Sequence, residues 1–198
     1  MPNARTSLTH PLRIDELPID GIDGMLGLTL CPGKTDPYSL TGSWNRDLIR
    51  DMEVIIEWGA CGVVSLIEDL EFDLLKLPDL GAVVKKGHMA WYHLPIKDTM
   101  VPDVTFEKRW DDEEGRAIRA LSTAGEKILL HCRGGLGRAG TVAAKLLIEF
   151  GYSPDRAISS VRKARHGAIE NKLQESYIYS LMHTTPDEDL ISNDDCGR

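Results

Sequence analysis

The 198-residue chain carries 23 lysines and arginines against 31 aspartates and glutamates, a formal net charge of −8, with 42% hydrophobic and 27% charged residues. That length suits one globular domain with its own core, and no apolar run approaches the ~20 residues needed to cross a bilayer. The negative charge repels polyanions at long range, which argues against nucleic acid or an anionic membrane as partner, so any anion site must be built locally.

Residues 1–18 are polar and lack the apolar core of a secretory signal peptide. They are expected to form a flexible N-terminal segment and the protein to be cytoplasmic. A single domain is expected over 19–183, followed by a mobile acidic tail over 184–198. Four cysteines, Cys31, Cys61, Cys132 and Cys196, are scattered without a CxxC pair or a close Cys/His spacing. Neither a disulfide framework nor a metal or other cofactor is indicated.

The first strand is expected over 22–30, stopped by Cys31-Pro32-Gly33. Trp44, Leu48, Ile49, Met52, Ile55 and Ile56 recur at helical spacing, which predicts a helix over 43–58 capped by Thr41 or Ser43 and ended by Gly59 and Gly62. Short apolar runs at 63–67 and 90–94 read as buried parallel strands, with a helix over 68–77 between them. A loop holding Pro95, Asp98, Pro102 and Asp103 leads to a helix over 106–123, whose acids gather towards its positive end. Lys127 to His131, KILLH, is the next strand. It enters a glycine-rich turn, a helix over 142–150 closed by Gly151, and another opened by Ser153-Pro154-Asp155. A last helix is expected over 172–182. This alternation predicts an α/β fold, a central mostly parallel sheet flanked by helices on both faces.

Ligands in such folds sit beyond the carboxyl ends of strands, where KILLH delivers Cys132. Gly134, Gly135 and Gly137 permit turns that aim successive amides at one anion, so Arg133, Gly134, Gly135, Leu136, Gly137 and Arg138 form a phosphate cradle between strand and helix. Arg138 supplies a charged planar fork. The field that binds phosphate also favours a thiolate, so Cys132 can attack phosphorus in line. The leaving oxygen then needs a proton from outside the loop. A plain buried cysteine in a tight turn is the bland alternative; a Walker loop would need a Gly-Lys-Ser/Thr ending, which is absent.

HCRGGLGRAGT resembles the signature of protein tyrosine and dual-specificity phosphatases, particularly the kinase-associated, cyclin-dependent-kinase-inhibitor-3-like branch. LGLTLCPG, WGACGVVSLIE, HLPIKDTMVPD and RHGAIENKLQESYI resemble that branch in the same order, over about residues 22–182. The resemblance implies hydrolysis of phosphate monoesters on phosphotyrosine or phosphoserine/threonine of proteins through a phosphocysteine intermediate. It makes Cys132 the nucleophile, Arg138 the phosphate clamp and Asp98 the general acid and base, with Asp103 as competing candidate. His131 matches the histidine that tunes the thiolate and braces the loop. Gln174 matches a glutamine that places water, though an exposed helix position fits it as well. The implied partner is a phosphorylated protein or a small polyphosphorylated molecule, and a monomer is the family's default.

The chain departs from the pattern at two positions. Ala139 replaces a Ser or Thr whose hydroxyl helps the thiolate leave, and Thr141 cannot be assumed to substitute; slow breakdown of the intermediate is expected. Glu170 stands where a second glutamine is frequent. Arg133 and the run Arg162-Lys163-Ala164-Arg165-His166 suggest a basic rim, while lysines typical of phosphoinositide-specific relatives are missing from the loop. Cys61 is a candidate redox partner for Cys132 by analogy with related phosphatases. A phosphoprotein-binding pseudophosphatase and a rhodanese-like sulfurtransferase remain the rival readings.

Overall fold

In the computed structural model, which describes residues 4–39 and 42–181, alternating strands and helices build the expected α/β architecture. The chain opens with β1 (Asp15–Pro18) and β2 (Met25–Leu30), which pair antiparallel. Asp15–Pro18 thus puts part of the polar N-terminal stretch into the sheet, with Leu17 buried and its neighbours Glu16 and Pro18 exposed. The short ribbon β3 (Thr35–Asp36) and β4 (Trp44–Asn45) follows.

Because Trp44 belongs to that ribbon, the next helix, α1 (Leu48–Trp58), starts later than the apolar spacing suggested, and Asp47 caps it through Arg50 N–H. Ser43 is not the cap, and Thr41 lies outside the described residues. Then come β5 (Ala60–Ser65), α2 (Asp69–Leu74), the unanticipated α3 (Leu80–Lys86) and β6 (Ala90–His93). The single helix expected over 106–123 is two, α4 (Val104–Asp112) and α5 (Glu114–Thr123), broken at Glu113. Gly115 sits so close to Trp110 that a Cβ would lie 2.2 Å from the Trp110 carbonyl oxygen, which only glycine permits.

The last elements are β7 (Lys127–Cys132), α6 (Gly137–Glu149), α7 (Pro154–Ala164) and α8 (Lys172–Ser180). Helix α6 begins five residues before the expected start at 142, so Arg138 rides in its first turn. Ser153 caps α7 with Pro154 in the first turn, as its sequence suggested.

The sheet order is β1-β2-β7-β5-β6, parallel except for the β1 edge. Along β7, Ile128, Leu130 and Cys132 enter an apolar cluster with Phe106, Trp110, Ile118, Val142, Leu146 and Val161 from α4 to α7. Leu129 faces the opposite cluster, formed with Met52, Ile55, Leu80 and Val84 of α1 and α3. The period of two along a strand therefore covers both faces and leaves the carboxyl end of β7 free to carry chemistry.

Candidate active site

Cys132 ends the central strand, and the chain turns at once through residues 133–136 into α6. The sulfur is buried, and Gly135 N–H donates to it at 3.2 Å. Gly135 has φ +73°, and a Cβ there would lie 2.1 Å from the Thr29 carbonyl oxygen on β2. The loop can thus fold over the sulfur only with glycine at this point.

Arg138 is 2% exposed and holds its guanidinium by a set of fixed acceptors. Its Nη1 donates to Glu71 Oε2 at 2.5 Å and Ile96 O at 3.1 Å, and its Nη2 to Glu71 Oε1 at 3.0 Å. The same Nη2 meets Asp98 Oδ1 at 2.9 Å. Burial alone would pull the Arg138 pKa down, but Glu71, Cys132 and Asp98 push it above its ordinary value, so the fork stays charged. Glu71, in α2, also closes a reciprocal capping box with Glu68. A helix cap and the Arg138 fork are therefore locked by one carboxylate.

Asp98 is half exposed midway along the loop after β6, and with Cys132 and Arg138 it lines a cavity of about 370 Å³. Asp103, the competing aspartate, instead caps α4 by accepting from Phe106 N–H at 2.9 Å, and it lines a different pocket beside Pro95 and Arg109. Arg133, Gly134 and Leu136 also line the Cys132 cavity, as do Lys34, Asp36, Tyr38 and Glu170. Gly137 instead packs against Glu170 and Gln174.

Arg133 does not point its charge at the cavity floor. It makes a bidentate pair with Asp36 of β3, both bonds 2.9 Å, while buried Lys34 donates to the Arg133 carbonyl at 3.0 Å. Although burial opposes it, Arg133 holds the Asp36 carboxyl below the usual range. The ribbon thereby props the outer side of the loop. His131 is fully buried and meets Ser65 Oγ through Nε2 at 2.7 Å, and Ser65 Oγ accepts from Trp91 Nε1 at 2.8 Å. Burial lowers the His131 pKa to about 3, so the ring is neutral.

Gln174 is buried, not on an exposed helix face: its Oε1 accepts from Glu170 N–H at 2.9 Å and its Nε2 reaches Met100 O at 3.4 Å. It ties α8 to the Asp98 loop. Thr141 is occupied by the Gly137 carbonyl at 2.8 Å, so its hydroxyl does not take the place left by Ala139. Cys61 stands at the other end of the sheet, beside Lys127, its thiol 2.5 Å from Glu126 Oε2. The length of β7, roughly 16 Å at ~3.3 Å per residue, separates it from Cys132, whereas a disulfide needs Cα atoms within about 7 Å. Strand register therefore excludes Cys61 as the candidate redox partner of Cys132. Glu71, Lys34, Asp36 and Ser65 were not found from sequence. Only Ser65 falls inside a segment similar to the phosphatase branch, WGACGVVSLIE; nothing in the sequence marked the other three.

A family model for the DSP-PTPase phosphatase domain of the Swiss Army Knife type, PTP-SAK, matches residues 36–178. The chain belongs to this phosphatase family. Cyclin-dependent kinase inhibitor 3 of Rattus norvegicus is 30% identical over 176 residues, covering 86% of this chain and 79% of its own length. Protein tyrosine phosphatase type IVA 3 of Homo sapiens is 44% identical over 130 residues, 65% of this chain and 68% of that protein. Among solved structures, kinase associated phosphatase superposes with a TM-score of 0.75 at 26% identity, covering 87% of this chain and 95% of that one. This DSP-PTPase family member is a cysteine-based protein phosphatase of the kinase-associated-phosphatase-like branch.

Proposed function

We propose that the protein hydrolyses phosphate monoesters on phosphorylated proteins, at phosphotyrosine or phosphoserine/threonine, through a phosphocysteine on Cys132. The observation that carries this reading is the convergence of the Cys132 sulfur, the Arg138 fork and the Asp98 carboxylate on one cavity. The Cys132 thiolate attacks phosphorus in line, the P–O bond to the substrate breaks, and Asp98 gives its proton to the leaving oxygen. Loop amides and Arg138 stabilise the equatorial oxygens. Asp98 then takes a proton from water, which attacks phosphorus, and the S–P bond breaks to return the thiolate and inorganic phosphate. His131, neutral and fixed by Ser65, orients the base of the loop, while Gln174 braces α8 against it.

The partner we propose is a phosphoprotein and the setting the cytoplasm, with a monomer as the working unit. Support comes from the names of the relatives, from the free thiols Cys31, Cys61 and Cys132, and from the fact that no helix among the described residues is long and apolar enough to cross a membrane.

Phosphate release from p-nitrophenyl phosphate and from phosphotyrosine and phosphothreonine peptides tests the mechanism. Wild type should turn over, Cys132→Ser should be inactive, and Asp98→Asn should lose on the order of 10²–10⁴ in kcat on the peptides. Phosphopeptide binding by wild type without any phosphate release would overturn the hydrolytic reading in favour of a binding module.

A further inference from the structure

The segment that carries Asp98 is fixed in two different ways. As far as Ile96 it is held by backbone bonds to the end of β5 and the residue after it, with Leu94 N–H on Ser65 O at 3.0 Å and Ile96 N–H on Leu66 O at 3.2 Å. Beyond that point Lys97, Asp98, Thr99 and Met100 are exposed, and the turn closes on itself through Met100 N–H to Lys97 O at 3.0 Å. Thr99 has φ +62°, a left-handed conformation that a β-branched residue keeps only where its surroundings impose it. A strained turn facing solvent does not by itself hold a carboxylate in one place.

Glu68 supplies the hold. Its Oε2 accepts the Asp98 N–H at 3.2 Å, and its own N–H donates to Glu71 Oε2 at 2.8 Å. That Glu71 oxygen is the one bound to Arg138 Nη1, and Arg138 Nη2 returns to Asp98 Oδ1 at 2.9 Å. Glu68, Glu71, Arg138 and Asp98 thus close a ring, which fixes the carboxyl group and the guanidinium fork relative to each other through the start of α2. From the side of α8, Asn171 Nδ2 donates to the Thr99 carbonyl at 2.9 Å. Asp98 Oδ1 also accepts the Thr99 N–H at 3.0 Å. With two donors on Oδ1, the proton that Asp98 transfers is carried by Oδ2.

We propose that Glu68 is a positioning residue for Asp98, holding its backbone where Oδ2 can give its proton to the leaving oxygen as the P–O bond breaks. This role rests on the proposed function, in which Asp98 is the acid. It also explains the residue at the cap of α2. Serine, threonine, aspartate and asparagine are the favoured caps, but each is shorter than the side chain that reaches Asp98.

The test is the dependence of rate on the leaving group. p-Nitrophenyl phosphate releases a stabilised phenolate and leans little on an acid, whereas phenyl phosphate needs the proton. Comparing kcat/KM reads phosphoryl transfer to Cys132 without the later breakdown of the intermediate. In Glu68→Ser, which keeps a favoured cap, the ratio of kcat/KM for p-nitrophenyl phosphate to that for phenyl phosphate should rise on the order of tenfold, part of the roughly 10²–10⁴-fold that a placed acid contributes. Glu68→Gln keeps an acceptor oxygen at the same reach and should restore the wild-type ratio. Asp98→Asn should raise the ratio by itself, and Glu68→Ser added to it should raise it no further. If Glu68→Ser does not fold, Glu68→Asp, with charge and cap kept but a shorter reach, should show the same rise. An unchanged ratio in Glu68→Ser beside a raised one in Asp98→Asn overturns the positioning role, as does a rise that Glu68→Gln shares or a further rise in the double variant. An unchanged ratio in Asp98→Asn overturns the acid itself, and the role of Glu68 with it.

Discussion

Glu71 holds both nitrogens at the end of the Arg138 fork, and neither partner touches bulk water. Removing the Glu71 charge leaves the buried Arg138 with only the half-exposed Asp98 carboxylate to compensate it, at a cost of up to about 3–5 kcal/mol. Glu71→Gln should therefore lower the urea midpoint markedly and raise KM for p-nitrophenyl phosphate, because a freed guanidinium loses its aim. An unchanged KM would mean that Ile96 and Leu66 carbonyls position the fork without Glu71. At Ala139 the argument runs to kinetics. The leaving thiolate of the breakdown step has the Gly135 N–H but no hydroxyl from Ala139 or Thr141. Phosphate release should be the slow step, seen as a burst of p-nitrophenol stoichiometric with enzyme. Ala139→Ser should raise the steady-state rate about tenfold, the worth of one hydrogen bond to a charged group, and shrink the burst. A linear time course in wild type would contradict this.

At the scale of elements, the strand-loop-helix unit of β7 and α6 was legible because several local signals agree there: an apolar β run, glycines at the turn and a helix former beyond. The Gly135 conformation makes the unit intolerant of side chains. Gly135→Ala adds a Cβ against the Thr29 carbonyl at a left-handed φ, so activity should fall by several orders of magnitude even where circular dichroism shows a folded protein. Elements whose formation depends on distant partners were not legible. Strand β1 holds only four residues, two of them acidic and one proline, and exists because β2 offers it an edge. The β3–β4 ribbon interrupts a helical apolar spacing, since Trp44 packs among Arg5, Lys34 and Arg46 rather than on α1. In the site, Cys132, Arg138 and Asp98 were found because motif and resemblance mark them. Glu71 lies 67 residues from Arg138, and no pattern in a short acidic helix says which carboxylate will turn inward.

The whole molecule inherits a pH dependence from His131. Its pKa, near 6.5 in an unfolded chain, is held at about 3 by burial in the fold. Between those values the unfolded state binds one proton more than the native state, so stability rises with pH and falls as the solution is acidified below 6.5. The expected loss is about 1.4 kcal/mol per pH unit, or about 2 kcal/mol from pH 6.5 to 5. Urea titrations of wild type and His131→Asn over that range should show a shallower slope in the variant; equal slopes would mean that the imidazole titrates as freely in the fold as outside it.

Strand β7 has β2 on one side and β5 on the other, with helices over both faces. Its amides at Leu129 and Leu130 are therefore shielded by the most deeply enclosed hydrogen bonds of the sheet, and can exchange with deuterium only when the whole domain opens. Cys132 is anchored to the part of the chain that lets go last. On heating, catalytic competence should persist until the cooperative transition itself rather than decline ahead of it.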